Sequence, residues 1–160
     1  QTCAFGGAGM TITIYINGKR EILECQPGDM LTEVLRKAGY VEVKKGCDTA
    51  SCGACTVLIE DKPVLSCSYL AVRADGKRIT TIQGVAEEAK KFAQFLTAEG
   101  ADQCGFCAPG FALTVLSMKK ELRNPSEAEI RHYLSGNLCR CSGYEGQIRA
   151  IKKYLEAVHD

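Results

Sequence analysis

The sequence predicts an α+β protein in two parts, a sheet-containing domain over residues 10–83 and an all-helical domain over residues 84–160. Three observations carry this. Residues 11–16, TITIYI, alternate strictly, as a half-buried strand does. At Gln83-Gly84 the apolar period changes from 2 to 3.6. Eight of the ten cysteines fall into two groups of four, one on each side of that change.

In the strand at 11–16, Ile12, Ile14 and Ile16 share one face and Thr11, Thr13 and Tyr15 the other. Asn17-Gly18 is a strong type I′ hairpin signal, and residues 20–24 return as a second strand. Pro27-Gly28-Asp29 breaks the chain, with Asp29 expected to cap a helix. That helix carries Leu31, Val34, Leu35 and Ala38 and ends at Gly39. Residues 56–60 and 63–67 read as a hairpin about Asp61-Lys62, and residues 78–82 as a last strand. This order is compatible with a β-grasp. Beyond it, helices are expected over 85–97, from Pro109 to about 123, from Ser126, and over 145–157. Ser126 and Glu129 have the spacing of a capping box. These four helices read as a small four-helix bundle. Residues 1–9, QTCAFGGAG, fit neither part and read as a leader or added extension, with Met10 as a natural start.

Composition excludes several classes. Twenty basic and 19 acidic side chains leave a formal net charge of +1, so nothing draws in nucleic acid. No apolar run approaches the roughly 18 residues that span a bilayer. At 46% hydrophobic, the chain is too apolar for disorder. Two small domains have thin cores and need staples, which directs attention to the cysteines.

Cys47, Cys52 and Cys55 form C-x4-C-x2-C, with Cys67 eleven residues further on. This is the spacing of plant-type [2Fe–2S] proteins. Cys104 and Cys107 form C-x2-C in the loop before the second helix of the helical part, and Cys139 and Cys141 form C-x-C in the loop before the fourth. Taken alone, this second group would equally pass as a zinc site. Disulfides fit poorly, because Cys139 and Cys141 are too close to bridge easily and residues 1–9 lack the basic start and apolar core of a signal peptide. Glycines at 46, 53, 105 and 110 lie in or beside these loops, where close backbone approach to sulfur favours them.

The runs KKGCDTASCGACTV (44–57), QCGFCAPG (103–110) and GNLCRCSGY (136–144), in this order, closely resemble the small iron–sulfur subunit of the molybdenum hydroxylases, the xanthine oxidase, aldehyde oxidase and carbon monoxide dehydrogenase family. The resemblance covers residues 10 to about 158. It implies a ferredoxin-like first domain, with Cys47, Cys52, Cys55 and Cys67 holding an outer [2Fe–2S] cluster. It implies a helical second domain whose Cys104, Cys107, Cys139 and Cys141 hold an inner one. Gln103 and the sulfur of Cys141 would hydrogen-bond a molybdopterin on a large partner subunit. FAD would sit on a medium subunit, and the chain itself would carry electrons in the cytoplasm without binding substrate. Many members of the family have a glycine–glutamate pair where this chain has Ala50-Ser51. The ligand count is intact, but the tuning of the outer cluster is open to difference.

Of the rest, Cys25 reads as a small buried apolar residue, and His132, on a helix, and His159, in the tail, have no ligand partner at useful spacing. Arg140, between two cysteines, either tunes the inner cluster, binds a partner or is a solvated loop cation. Lys44-Lys45 reads as a surface pair. No serine triad, carboxylate dyad or phosphate loop is present. Two other functions stay in view: a free-standing electron shuttle, which would be monomeric, and a zinc module, which would hold zinc without iron.

Overall fold

The computed structural model describes residues 9–159, so the leader read over 1–9, and Cys3 with it, lies almost wholly outside the described residues. The alternation of TITIYI becomes β1 (Met10–Ile16), with Ile12, Ile14 and Ile16 buried and Tyr15 exposed. Asn17 and Gly18 both take left-handed φ, 51° and 82°, as a type I′ turn requires. β2 (Lys19–Cys25) returns antiparallel to β1, with Ile16 opposite Lys19. Cys25 is buried in the core, as its apolar reading expects.

The helix α1 (Leu31–Lys37) buries Leu31, Val34 and Leu35 against the sheet. Asp29 does not cap it. Its carboxylate accepts the N–H of Gln26 at 2.8 Å, closing the preceding turn, and the N-cap is Met30. The first helical N–H finds a tertiary partner instead, Leu31 donating to the Tyr69 carbonyl at 2.7 Å. Gly39, at φ 99°, follows the helix end as expected.

β3 (Thr56–Ile59) and β4 (Lys62–Leu65) form the second hairpin. Its turn residues are Glu60 and Asp61, both at positive φ, one position before the expected Asp61-Lys62. Ile59 pairs with Lys62, so Lys62 is already strand. β5 (Arg78–Thr80) is shorter than expected, because residues 82–85 tighten into a 3₁₀ turn. The sheet order is β2-β1-β5-β3-β4, with β1 and β5 parallel and the other neighbours antiparallel. The Asn17 side chain ties the first hairpin to the end of β5, accepting from Thr81 N–H and donating to Thr81 Oγ1, both at 2.9 Å.

Four further helices follow: α2 (Ala86–Ala98), α3 (Ala108–Glu121), α4 (Glu127–Tyr133) and α5 (Glu145–His159). They share a core of Phe92, Phe111, Leu116, Ile130, Ile151 and Tyr154. The capping box at α4 is present in both halves: the Ser126 hydroxyl accepts from Glu129 N–H, and Ser126 N–H donates to the Glu129 carboxylate. The protein is thus α+β, a five-stranded mixed sheet followed by helices. None of the described helices is long and apolar enough to cross a membrane.

The two parts are in close contact. α3 is buried along Gly110–Met118 and packs on β3 and β4 as well as on α2. All four residues of β3 are buried. Val57 and Ile59 face the sheet's own core, so Thr56 and Leu58 face the other way, the side α3 covers.

Candidate metal centres

In the first group, Cys47, Cys52 and Cys55 come from the chain between α1 and β3, and Cys67 lies in the 3₁₀ turn Ser66–Ser68 after the second hairpin. Cys55 is buried at the foot of β3, and Cys47, Cys52 and Cys67 are half-buried around it. Their thiols meet two by two, Cys47 with Cys52 and Cys55 with Cys67. Cys47 is held down to about 6, first by the Ser51 N–H, then by the Cys52 thiol and by the N–H groups of Cys52 and Thr49. Cys67 is pushed up to about 12, chiefly by burial and then by its hydrogen bond to Cys55. Backbone amides therefore already favour a thiolate at one end of the group, while the other end would need a cation to ionise.

The second group joins two loops. Cys104 and Cys107 precede α3, and Cys139 and Cys141 precede α5. They also pair, Cys104 with Cys141 at 3.5 Å between sulfurs and Cys107 with Cys139. Cys104 and Cys141 are exposed, and Cys107 and Cys139 lie deeper. Burial, then the nearby Cys139, pushes Cys107 up to about 11. Burial works in the same direction on Cys139, but hydrogen bonds from Ser142 and from the Cys141 N–H outweigh it and bring the thiol below its ordinary value. The Ser142 hydroxyl lies 3.2 Å from the Cys139 sulfur, and the Cys139 N–H donates to the Tyr144 hydroxyl at 2.9 Å.

This arrangement suits a two-iron cluster. Two thiol pairs per group match a rhomb in which each iron takes two thiolates.

The two groups are adjacent. The Leu138 N–H donates to the Cys52 carbonyl at 2.9 Å, so one hydrogen bond separates the chain at Cys52 from the residue before Cys139. A cleft of about 360 Å³ is lined by Gly46, Cys52, Cys104, Phe106, Leu138 and Cys139, members of both groups. A larger cleft of about 590 Å³, beside Tyr15, Glu60 and Arg78, holds no cysteine. Two glycines set the contact. A Cβ on Gly110 would lie 2.2 Å from the Gly53 carbonyl oxygen, and one on Gly53 would lie 2.3 Å from that of Gly136.

The Gln103 amide donates to the Cys141 carbonyl at 3.3 Å on the exposed rim. Phe106 and Leu138, 48% and 52% exposed, flank that rim. Arg140 is exposed there, with no ion pair among the described residues. Lys45 pairs with Asp48 at 3.1 Å, in keeping with its surface reading. His132 is exposed on α4, and the His159 side chain lies outside the described residues. Sequence reasoning gave no role to Ser142 or Tyr144. Their signal was a serine and a glycine directly after a cysteine pair, a composition that turns the chain and lets a hydroxyl fold back on it.

Comparison with known proteins agrees with this geometry. Residues 14–80 match the 2Fe-2S iron-sulfur cluster binding domain, and residues 81–152 match the [2Fe-2S] binding domain. The chain is 44% identical over 149 residues to the xanthine dehydrogenase iron-sulfur-binding subunit of Escherichia coli O157:H7, covering 89% of this chain and 92% of that one. It is 41% identical to the nicotinate dehydrogenase small FeS subunit of Eubacterium barkeri, covering 91% and 94%. The crystal structure of quinoline 2-oxidoreductase from Pseudomonas putida 86 superposes with a TM-score of 0.86 at 39% identity, over 94% of this chain and 96% of that one. Two consecutive iron–sulfur matches on one chain define a [2Fe–2S] protein with an electron-transfer role in an oxidoreductase complex. More closely, the chain belongs to the small iron–sulfur subunits of the molybdenum hydroxylase family.

Proposed function

We propose that this chain takes electrons one at a time from a molybdenum–pterin centre on a large partner subunit and passes them through an inner and then an outer [2Fe–2S] cluster to a flavin on a further subunit, or to an external acceptor. The observation that carries this is the pairing of eight thiols into two adjacent groups, one of which reaches the surface. Cys104, Cys107, Cys139 and Cys141 hold the inner cluster, and Cys47, Cys52, Cys55 and Cys67 the outer one. When bound, each cluster supplies a one-electron site, and two in series let a two-electron reaction empty stepwise. Cys104, Cys141 and Gln103 face the pterin, with Gln103 set by its bond to the Cys141 carbonyl. Phe106 and Leu138 give the rim an apolar margin that would exclude water on docking. The hydrogen bond from Leu138 to Cys52 shortens the route between the two groups.

Residues 10–83 are a β-grasp ferredoxin-like domain and residues 84–160 a four-helix bundle, a division supported by the sheet order and by the separate helical core. A cytoplasmic setting, where thiols stay reduced, suits eight cysteine ligands. The relatives are named for xanthine, nicotinate and quinoline, which supports placing substrate choice on the large subunit.

The test is metal analysis and EPR of the complex purified with its partners. About four irons per chain and two distinct [2Fe–2S] signals on reduction are expected. Cys104→Ala should abolish one signal and leave the other. Zinc without iron would sink the proposal, and a monomer that keeps both clusters and binds no partner would replace it with a free shuttle.

A further inference from the structure

The loop Cys139–Tyr144 is built more elaborately than ligation needs. The Ser142 oxygen accepts the Tyr144 N–H at 3.2 Å, which occupies a lone pair and leaves the hydroxyl hydrogen for the Cys139 sulfur, 3.2 Å away. The Ser142 N–H points at the same sulfur at 3.4 Å. Tyr144 grips the loop at both ends, since its phenol oxygen accepts the Cys139 N–H at 2.9 Å. To do so it adopts φ 71°, a left-handed conformation that a bulky side chain rarely takes, directly after Gly143 at φ 63°. Strain of this kind persists where the surroundings over-determine it, and here hydrogen bonds at both the Tyr144 N–H and its phenol oxygen do so. Among the described residues, Cys139 is the one cysteine of the eight whose sulfur receives a hydroxyl hydrogen bond. It is also the cysteine next to Leu138, whose N–H bonds to the Cys52 carbonyl.

We propose that the Ser142 hydroxyl, oriented by Tyr144, raises the reduction potential of the inner cluster through the Cys139 sulfur. Reduction adds one electron and breaks no bond, so the ligand sulfurs gain negative charge. A donor aimed at one of them favours the reduced form over the oxidised one, and hydrogen bonds to sulfur are among the levers that set such potentials. Ser142 and Cys139 are both half-buried, so the hydroxyl meets the sulfur partly screened from water. Ser142 is thus a potential-setting residue on the side of the inner group that faces the outer one, and it fixes the driving force of the step between them. The inference rests on the two-cluster reading above.

The experiment is an EPR-monitored redox titration of the assembled complex, with the inner signal assigned as the one perturbed by Cys141→Ser. Ser142→Ala should shift the inner midpoint to lower potential and leave the outer midpoint in place, and Ser142→Thr, which keeps the hydroxyl, should restore the wild-type value. An inner midpoint unmoved in Ser142→Ala, or lowered equally in Ser142→Thr, would overturn the proposal. Should Ser142→Ala lose the inner signal, Ser142→Val is compared with Ser142→Thr, since the two match in shape and differ in the hydroxyl. Equal inner midpoints in that pair, or loss of the cluster in Ser142→Val alone, would overturn it as well. Failure to see two [2Fe–2S] signals in the wild type would instead sink the reading of the site.

Discussion

Ala50 shows how one residue alters a loop without altering its ligands. It sits at φ 53°, in the left-handed region that favours glycine. An L-residue there gives up about 1–2 kcal/mol, and glycine would return about 0.5–1 kcal/mol of that through the greater freedom of the unfolded chain. Ala50→Gly is therefore expected to stabilise the folded protein by a net amount of about 1 kcal/mol or less, read as a raised thermal midpoint with both clusters retained. Beside it, the Ser51 hydroxyl contacts that of Thr49 at 2.8 Å in the Cys47 loop. Glu99 is held by two cations. Lys153 and then Arg149, the latter at 2.8 Å, hold its carboxyl below the ordinary value of 4.5. A carboxylate with a depressed folded pKa stabilises fully above that ordinary value and loses its contribution as the pH falls through the lower folded one. Glu99→Gln should therefore lower the urea midpoint at pH 7 by a small margin, and wild type and variant should converge as the pH drops below 4.5. A gap that persists or widens in acid would mean that the carboxylate acts through packing instead.

Among the elements, α3 has the largest structural task. A surface helix shows one apolar stripe, but α3 is buried from Gly110 to Met118 because the sheet covers one side and α2 another. Its first turn sets how closely the cysteine loops approach. Gly110→Ala would place a Cβ 2.2 Å from the Gly53 carbonyl oxygen, a backbone atom with nowhere to go. Overpacking of this kind costs about 1–3 kcal/mol. The variant is expected to unfold at lower temperature and to bleach faster at its iron–sulfur absorbance. Wild-type bleaching kinetics would show that the close approach does not matter to the sites. The exposed pair Lys120–Asp61, 3.2 Å apart across the same boundary, adds little by comparison.

At the scale of the whole molecule, charge changes meaning once the sites are filled. The formal +1 counts every thiol as neutral. Eight thiolates around two oxidised two-iron cores would bring the total to about −3, and each reduction would add a further negative charge. Backbone donors on Cys47 and Cys139 are placed to meet that charge. Direct contact between the two parts also explains how small cores suffice. Each has its own apolar cluster, and α3 packs on β3 and β4 between them, with Gly53 and Gly110 letting the backbones approach at the cysteine loops.

Much of this was legible in the residues. Strict alternation made Ile12, Ile14 and Ile16 a buried face, because a pleated strand has period 2 wherever it sits. Asn17-Gly18 fixed a turn, and Ser126 with Glu129 fixed a helix start, since both are satisfied within a few residues. The cysteine spacing pointed to two groups of four for the same local reason. Asp29 escaped because two partners compete for a helix N-terminus, and a distant carbonyl, that of Tyr69, took the first N–H. The pairing of Cys107 with Cys139, the bond from Leu138 to Cys52 and the contact of Gly110 with Gly53 each join residues far apart in the chain. Spacing along the chain can say which sulfurs are available. Which sulfurs face each other, and which lie next to the other group, is decided only when α3 settles between the sheet and the helices.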